Sequence, residues 1–179
     1  EQVEYTMNYY MNLISLIESH VFMSPSEYLI ARNISKIFGA LEYSRRKIDE
    51  WYERIKNMAK KRVVLLYNNI DLNHVIKNKD LYLINWEKSK LGIPIYDLYE
   101  FYRKYAFSFD FFELFNFYES KYRLLEEERL LLYVLISIPD VVELKESEVE
   151  NCKKAKNIVE LIYKSEVLIS KYTEKTNTE

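Results

Sequence analysis

Glycine is nearly absent from this sequence: Gly39 and Gly92 are the only two in 179 residues, beside three prolines. Phosphate-cradling loops and dinucleotide fingerprints need several glycines where backbone must approach an anion, so neither can be written here. A single cysteine, Cys152, excludes an internal disulfide and a cysteine-built zinc site. No apolar run reaches the roughly 18–20 residues of a bilayer span, and no charged-then-apolar leader opens the chain. Nor is one sign of charge in excess. The 26 basic residues face 28 acidic ones, a net of −2, which argues against a domain whose work is neutralising phosphates along nucleic acid. These absences point to a soluble, cytoplasmic chain with neither a membrane nor a nucleic acid as partner.

What is present is apolar and aromatic. Hydrophobic residues make up 49% and aromatics 16% of the chain, enough for a substantial core, and most recur at helical spacing. Met7, Tyr10, Met11, Ile14, Ile17 and Val21 predict a helix over 5–22. Ser24-Pro25-Ser26-Glu27 reads as a start signal, with Ser24 as cap, Pro25 in the first turn and Glu27 closing a capping box. The helix it opens is expected to reach Gly39. A further one carries Leu41, Ile48, Trp51, Tyr52, Ile55 and Met58, with a charged, solvated opposite face. The period then shortens. Arg62 to Tyr67 reads as a strand, and Val75-Ile76, a polar turn at 77–80 and Leu81 to Trp86 read as a hairpin. Helical spacing returns from Ile95 to Tyr105, from Ser108 to Tyr118, from Leu124 to Ile138 (stopped by Pro139) and from Glu146 to about Lys171. His20 and Cys152 have no second ligand-type residue beside them; His20 reads as a capping or packing residue and Cys152 as a buried or incidental thiol. The fold class is therefore mainly α, with a small central β-hairpin element. Residues 1–172 are expected to form a single domain, and 173–179 a frayed polar tail.

The β element carries the chemical information. It runs Leu65-Leu66-Tyr67-Asn68-Asn69-Ile70-Asp71-Leu72-Asn73-His74, then Ile84-Asn85-Trp86-Glu87, then Gly92-Ile93-Pro94-Ile95-Tyr96-Asp97-Leu98. In order and spacing this resembles the carboxyl-terminal lobe of the aminoglycoside phosphotransferase and choline kinase-like family, spore-coat kinase-like members included. That family has a strand leading into His-x-Asp-(four residues)-Asn, a hairpin ending in Ile-Asp-Trp/Phe-Glu, and a Gly-x-Pro-x-x-Asp-Leu stretch opening the next helix. The resemblance covers residues 24–105, with the later helices matched by architecture only. It implies a helical, kinase-like C-lobe.

The resemblance also assigns roles, and the residues depart from them. The family's His falls on Tyr67, its catalytic Asp on Asn69, its metal-binding Asn on His74 and its metal-binding Asp on Asn85. An amide at Asn69 has no basic lone pair to accept a proton, and Asn85 offers magnesium a neutral oxygen where a carboxylate is needed. His74 offers nitrogen, better suited to transition metals. Shifting the register so that Asp71 becomes the acid puts Ile76 at a metal position, which is worse. Asp71 and Glu87 remain as compensating carboxylates, and Asp97 keeps the family residue, whose role there is to hold the loop by hydrogen bonds. No residue is named as catalytic and none as a metal ligand.

Three readings follow. The first is a degenerate, pseudokinase-like module that is not an enzyme, takes no cofactor and acts in structure or interaction. The alternative is a divergent small-molecule phosphotransferase using Mg-ATP, whose nucleotide-binding lobe lies upstream of Glu1. The third is a helical bundle unrelated to kinases. Under the first, the aromatic surface near Tyr96–Tyr122 is the expected contact for a protein partner, an upstream lobe or a second copy.

Overall fold

A computed structural model describes residues 1–176. It is mainly α: among these residues stand six α-helices and four three-residue strands, the strands forming two separate antiparallel pairs. The chain divides into two compact units where the sequence suggested one domain. The first comprises residues 1–48 with the stretch from Ser137 onward, and the second residues 49–136.

The first unit is built on α1 (Gln2–Ser19), the start of α2 (Pro25–Ile55) and α6 (Glu148–Thr176). Its centre is Ile17, Ile30 and Ala155, one residue from each helix and all fully buried, with Leu13, Leu29, Ala31 and Ile34 packed around them. The helical spacing of the apolar residues thus becomes three inward stripes. Two tyrosines of α1 reach the segment before α6. Tyr9 donates to the Val142 carbonyl at 2.8 Å and Tyr10 to the Asp140 carbonyl at 2.6 Å. The start of α2 is the capping box the sequence announces: the Ser24 amide donates to Glu27 at 2.8 Å, and Ser24 Oγ accepts from the Glu27 amide at 3.4 Å. Glu27 also meets His20 Nδ1 at 3.0 Å, a partner the sequence did not suggest. Glu148, in the first turn of α6, accepts from the Ser26 amide at 2.5 Å. One carboxylate therefore serves the amino-terminal ends of two helices, where the peptide dipoles favour negative charge.

The predicted break at Gly39 does not occur. α2 runs unbroken through it, 31 residues in all from Pro25 to Ile55. A side chain added at Gly39 would meet nothing within 4 Å, so this glycine is neither a cap nor a close contact. The good helix formers Ala40, Leu41 and Glu42 follow it, and no proline does. α6 likewise runs to Thr176, into the stretch read as a tail; the remainder of that stretch, 177–179, lies outside the described residues.

The second unit opens with the last residues of α2. Strand β1 (Val64–Leu66) pairs with β4 (Lys90–Gly92), and β2 (Val75–Lys77) pairs with β3 (Leu81–Leu83) around the polar turn. The hairpin lies where the sequence placed it. Strand β4 was not expected, because three residues reading Lys-Leu-Gly carry no period. Its Gly92 has a physical reason: a Cβ there would lie 2.5 Å from Leu66 Cδ1, and Leu66 is buried. Strand β3 stops short of the predicted Trp86 because Asn85 turns left-handed, at φ 63°.

Helices α3 (Ile95–Tyr105), α4 (Phe111–Lys121) and α5 (Glu126–Ser137) complete this part of the chain. Asp110 caps α4, accepting from the Phe112 amide at 2.9 Å. Much of the aromatic belt is core. Tyr102, Phe111 and Phe115 are buried and meet edge to face, with ring centroids 5.0 and 5.6 Å apart. Only Tyr96, Phe107, Phe109 and Phe117 of the belt stand substantially exposed. The negative first turn of α5 holds the buried Glu128, which pairs with Arg62 (Nε to Oε1 2.9 Å) and accepts from the Leu125 amide at 2.9 Å. Arg62 also lies over the Tyr122 ring, 4.2 Å from its centroid.

Candidate functional site

The candidate site begins where β1 ends. Tyr67 is buried at 4% exposure, and the chain leaves it through Asn68 in the left-handed region, φ 53°. Asparagine tolerates that conformation better than most residues. The turn is held from the first turn of α3: Asp97 accepts the Tyr67 amide at 2.8 Å and the Asn68 amide at 2.9 Å, one on each carboxylate oxygen. Gly92 and Pro94 bring α3 to this point just after β4.

From there the loop folds back on itself. Asp71 caps the 3₁₀ turn Leu72–His74 by accepting the Asn73 amide at 2.8 Å. That turn delivers His74, whose Nδ1 lies 2.8 Å from the Tyr67 hydroxyl and 3.1 Å from the Asn69 carbonyl. A carbonyl only accepts, so Nδ1 carries a hydrogen. The Tyr67 hydroxyl in turn donates to the Ile84 carbonyl. Asn69 Nδ2 donates to the Asn85 carbonyl at 3.3 Å. Trp86 closes one side, its ring 5.1 Å from that of Tyr67 and its indole N–H donating to the Leu83 carbonyl at 2.7 Å.

Tyr67, Asn69 and His74 are thus joined with the Asn85 backbone carbonyl in one hydrogen-bonded cluster, while no hydrogen bond of the cluster reaches the Asn85 side chain. The side chains it joins are an amide, a phenol and an imidazole. Burial pushes the Tyr67 phenol above its ordinary value, with the nearby Asp71 and Glu87 charges adding to the effect, so it stays protonated. The cluster can donate and accept hydrogen bonds. It supplies no carboxylate to take a proton from an attacking hydroxyl or to neutralise a hard cation.

Asp71 and Glu87 border this cluster without completing it. Asp71 is held by Lys104, 2.6 Å away, and Lys104 also donates to the Ile70 carbonyl at 3.0 Å. The lysine, with the Asn73 amide, lowers the Asp71 carboxyl below the usual range. Next to this pair lies an open depression of about 420 Å³, lined by Ile70, Tyr99, Glu100, Arg103 and Lys104. Glu87 stands exposed in the 3₁₀ turn Trp86–Lys88. Among the described residues no group of three His, Cys, Asp or Glu side chains is arranged to hold a metal ion. Cys152, on α6, has its thiol 3.6 Å from Glu148, and burial pushes that thiol up. The Tyr67–His74 and Asp71–Lys104 pairs were beyond sequence reasoning: neither spacing marks a contact, and only the fold brings α3 beneath the loop.

Compared with protein-family models, with curated proteins and with solved structures, the chain matches none.

Proposed function

We propose that this chain is a non-catalytic, phosphotransferase-like module that works by binding another macromolecule. The observation that carries the reading is the closure of the polar cluster on itself: Tyr67, His74 and Asn69 spend their hydrogen bonds on one another and on the Ile84 and Asn85 carbonyls. Phosphoryl transfer needs a residue that orients or deprotonates the nucleophile and anionic oxygens that hold magnesium between phosphates. At the positions where the resemblance looks for them stand amides, a phenol and an imidazole. The nearest carboxylate, on Asp71, is engaged by Lys104, and recruiting it would cost that ion pair. Asp97 and the Tyr67 hydroxyl tie the two ends of the loop.

Thermal unfolding with and without Mg-ATP tests this reading, since a ligand that binds only the native state raises the melting temperature. The melting temperature is expected to stay unchanged at millimolar Mg-ATP. A concentration-dependent rise, abolished by removing magnesium, would favour the phosphotransferase alternative.

A further inference from the structure

The β2–β3 hairpin is apolar on both faces and open on both. Ile76 and Tyr82, paired across the strands, are 47% and 53% exposed; on the opposite face Leu81 is 71% exposed, beside Val75 and Leu83. With Ile84 and Trp86 these side chains expose several hundred Å², roughly the scale at which an apolar patch marks a contact site. A lone two-stranded hairpin is also marginal in water. Its outer edge is available: Ile84 donates to the His74 carbonyl at 3.0 Å, which by antiparallel alternation turns the backbone groups of Leu81 away from β2. They have no partner among the described residues.

Charge is distributed to match. The chain as a whole is slightly acidic, yet from Lys56 to Lys90 eight basic residues stand against Asp71, Asp80 and Glu87. Lys60, Lys61, Lys77, Lys79, Lys88 and Lys90 are exposed, and none has a carboxylate partner among the described residues. Lys104, Lys145, Lys153 and Lys154, by contrast, are answered by Asp71, Glu143, Glu150 and Glu146. The occupant must therefore be acidic, and it must cover apolar side chains on two opposite faces. A bilayer or a nucleic-acid strand lies along one face only, and the exposed side chains are more aliphatic than aromatic, which disfavours base stacking.

We propose that the free edge of this hairpin takes up an extended acidic polypeptide, added as a further strand, its backbone pairing with Leu81 and its carboxylates reaching the unpaired lysines. The inference rests on the reading of the chain as an interaction module and names its surface and partner class.

The full chain is titrated with a fluorescent octapeptide of alternating Glu and Val, with its Lys-Val counterpart, with anionic phosphatidylserine vesicles and with single-stranded oligonucleotide. The Glu-Val peptide is expected to bind saturably, at least tenfold more tightly than each of the others. Raising salt from 50 to 500 mM and the variant K77E/K79E should each weaken binding about tenfold or more. Leu81→Ser should abolish it, while Leu16→Ser, at an exposed site in the first unit, should leave it unchanged. Absence of binding by the Glu-Val peptide, or equal or tighter binding of the Lys-Val peptide, vesicles or oligonucleotide, would overturn the proposal. Mg-ATP binding in the melting experiment would overturn the non-catalytic reading and leave the peptide titration to be judged on its own result.

Discussion

Asp97 and Tyr67 lie thirty residues apart and are joined by a 2.8 Å hydrogen bond from the Tyr67 amide to the Asp97 carboxylate, with the Asn68 amide bound beside it. The carboxylate gains twice, from two amide donors and from its place in the first turn of α3, where the helix dipole favours an anion. Asparagine at 97 keeps one acceptor oxygen and loses the charge; alanine loses both. Asp97→Ala is expected to destabilise the protein by about 2–3 kcal/mol and Asp97→Asn by roughly half of that. Urea denaturation reads both. An asparagine variant as stable as the parent would show that the loop is held by something else.

Gly92 makes a different kind of contact, one in which a missing side chain leaves room for a buried one. Gly92→Ala drives a methyl into Leu66 Cδ1, and the expected loss is about 1–3 kcal/mol, the usual cost of overpacking. Shortening Leu66 to alanine should relieve that clash, so the two substitutions together should cost less than their sum. Strict additivity in chemical denaturation would contradict the contact.

Much of this was legible in the residues, and the failures have physical causes. The capping box Ser24–Glu27 and the hairpin around 77–80 are local devices, and local devices can be read from local sequence. Gly39 misled because a glycine at a cap and a glycine in open helix look alike until the surroundings are known. Strand β4 was invisible because its three residues owe their conformation to β1. In the candidate site, the loop's polar residues could be named individually, but the Lys104 that holds Asp71 comes from the last turn of a helix thirty-three residues on. Of the aromatic stretch 96–122, expected to offer a contact surface, Tyr102, Phe111 and Phe115 are buried, while the apolar and basic exposure on the hairpin went unnoticed because whole-chain charge conceals it.

Arg62 and Glu128 form the pair whose loss should be felt most. Glu128 is 4% exposed and Arg62 gives it two guanidinium contacts. Arg62→Ala leaves a buried carboxylate unpaired, and about 3 kcal/mol of stability is expected to go with it. Lysine at 62 restores charge without the fork and should recover only part. An alanine variant within 0.5 kcal/mol or so of the parent, by denaturant titration, would contradict this.

Acid should weaken the fold through two carboxylates in particular. Asp71 is held below the usual carboxylate range chiefly by Lys104, and Glu148 chiefly by the Ser26 amide. A group whose folded value is lowered supplies stability that is complete above its unfolded value, about pH 4, and is lost as pH falls through the folded value. Melting temperature is therefore expected to fall below about pH 4, and Glu148→Gln and Asp71→Asn should each flatten that limb. Unchanged acid limbs in both variants would rule out these two groups as its source.

The central proposal is that the cluster of Tyr67, Asn69 and His74 with the Asn85 carbonyl is closed on itself and holds neither magnesium nor nucleotide. Calorimetric titration of magnesium and ATP into the parent chain and into the double variant Asn69→Asp/Asn85→Asp tests it most directly. The parent should give no binding heat, and the variant, with carboxylates at the two positions where the resemblance expects the catalytic and the metal-binding Asp, should gain saturable magnesium binding. Magnesium-dependent ATP binding by the parent, or none by the double variant while it remains folded, would contradict the account.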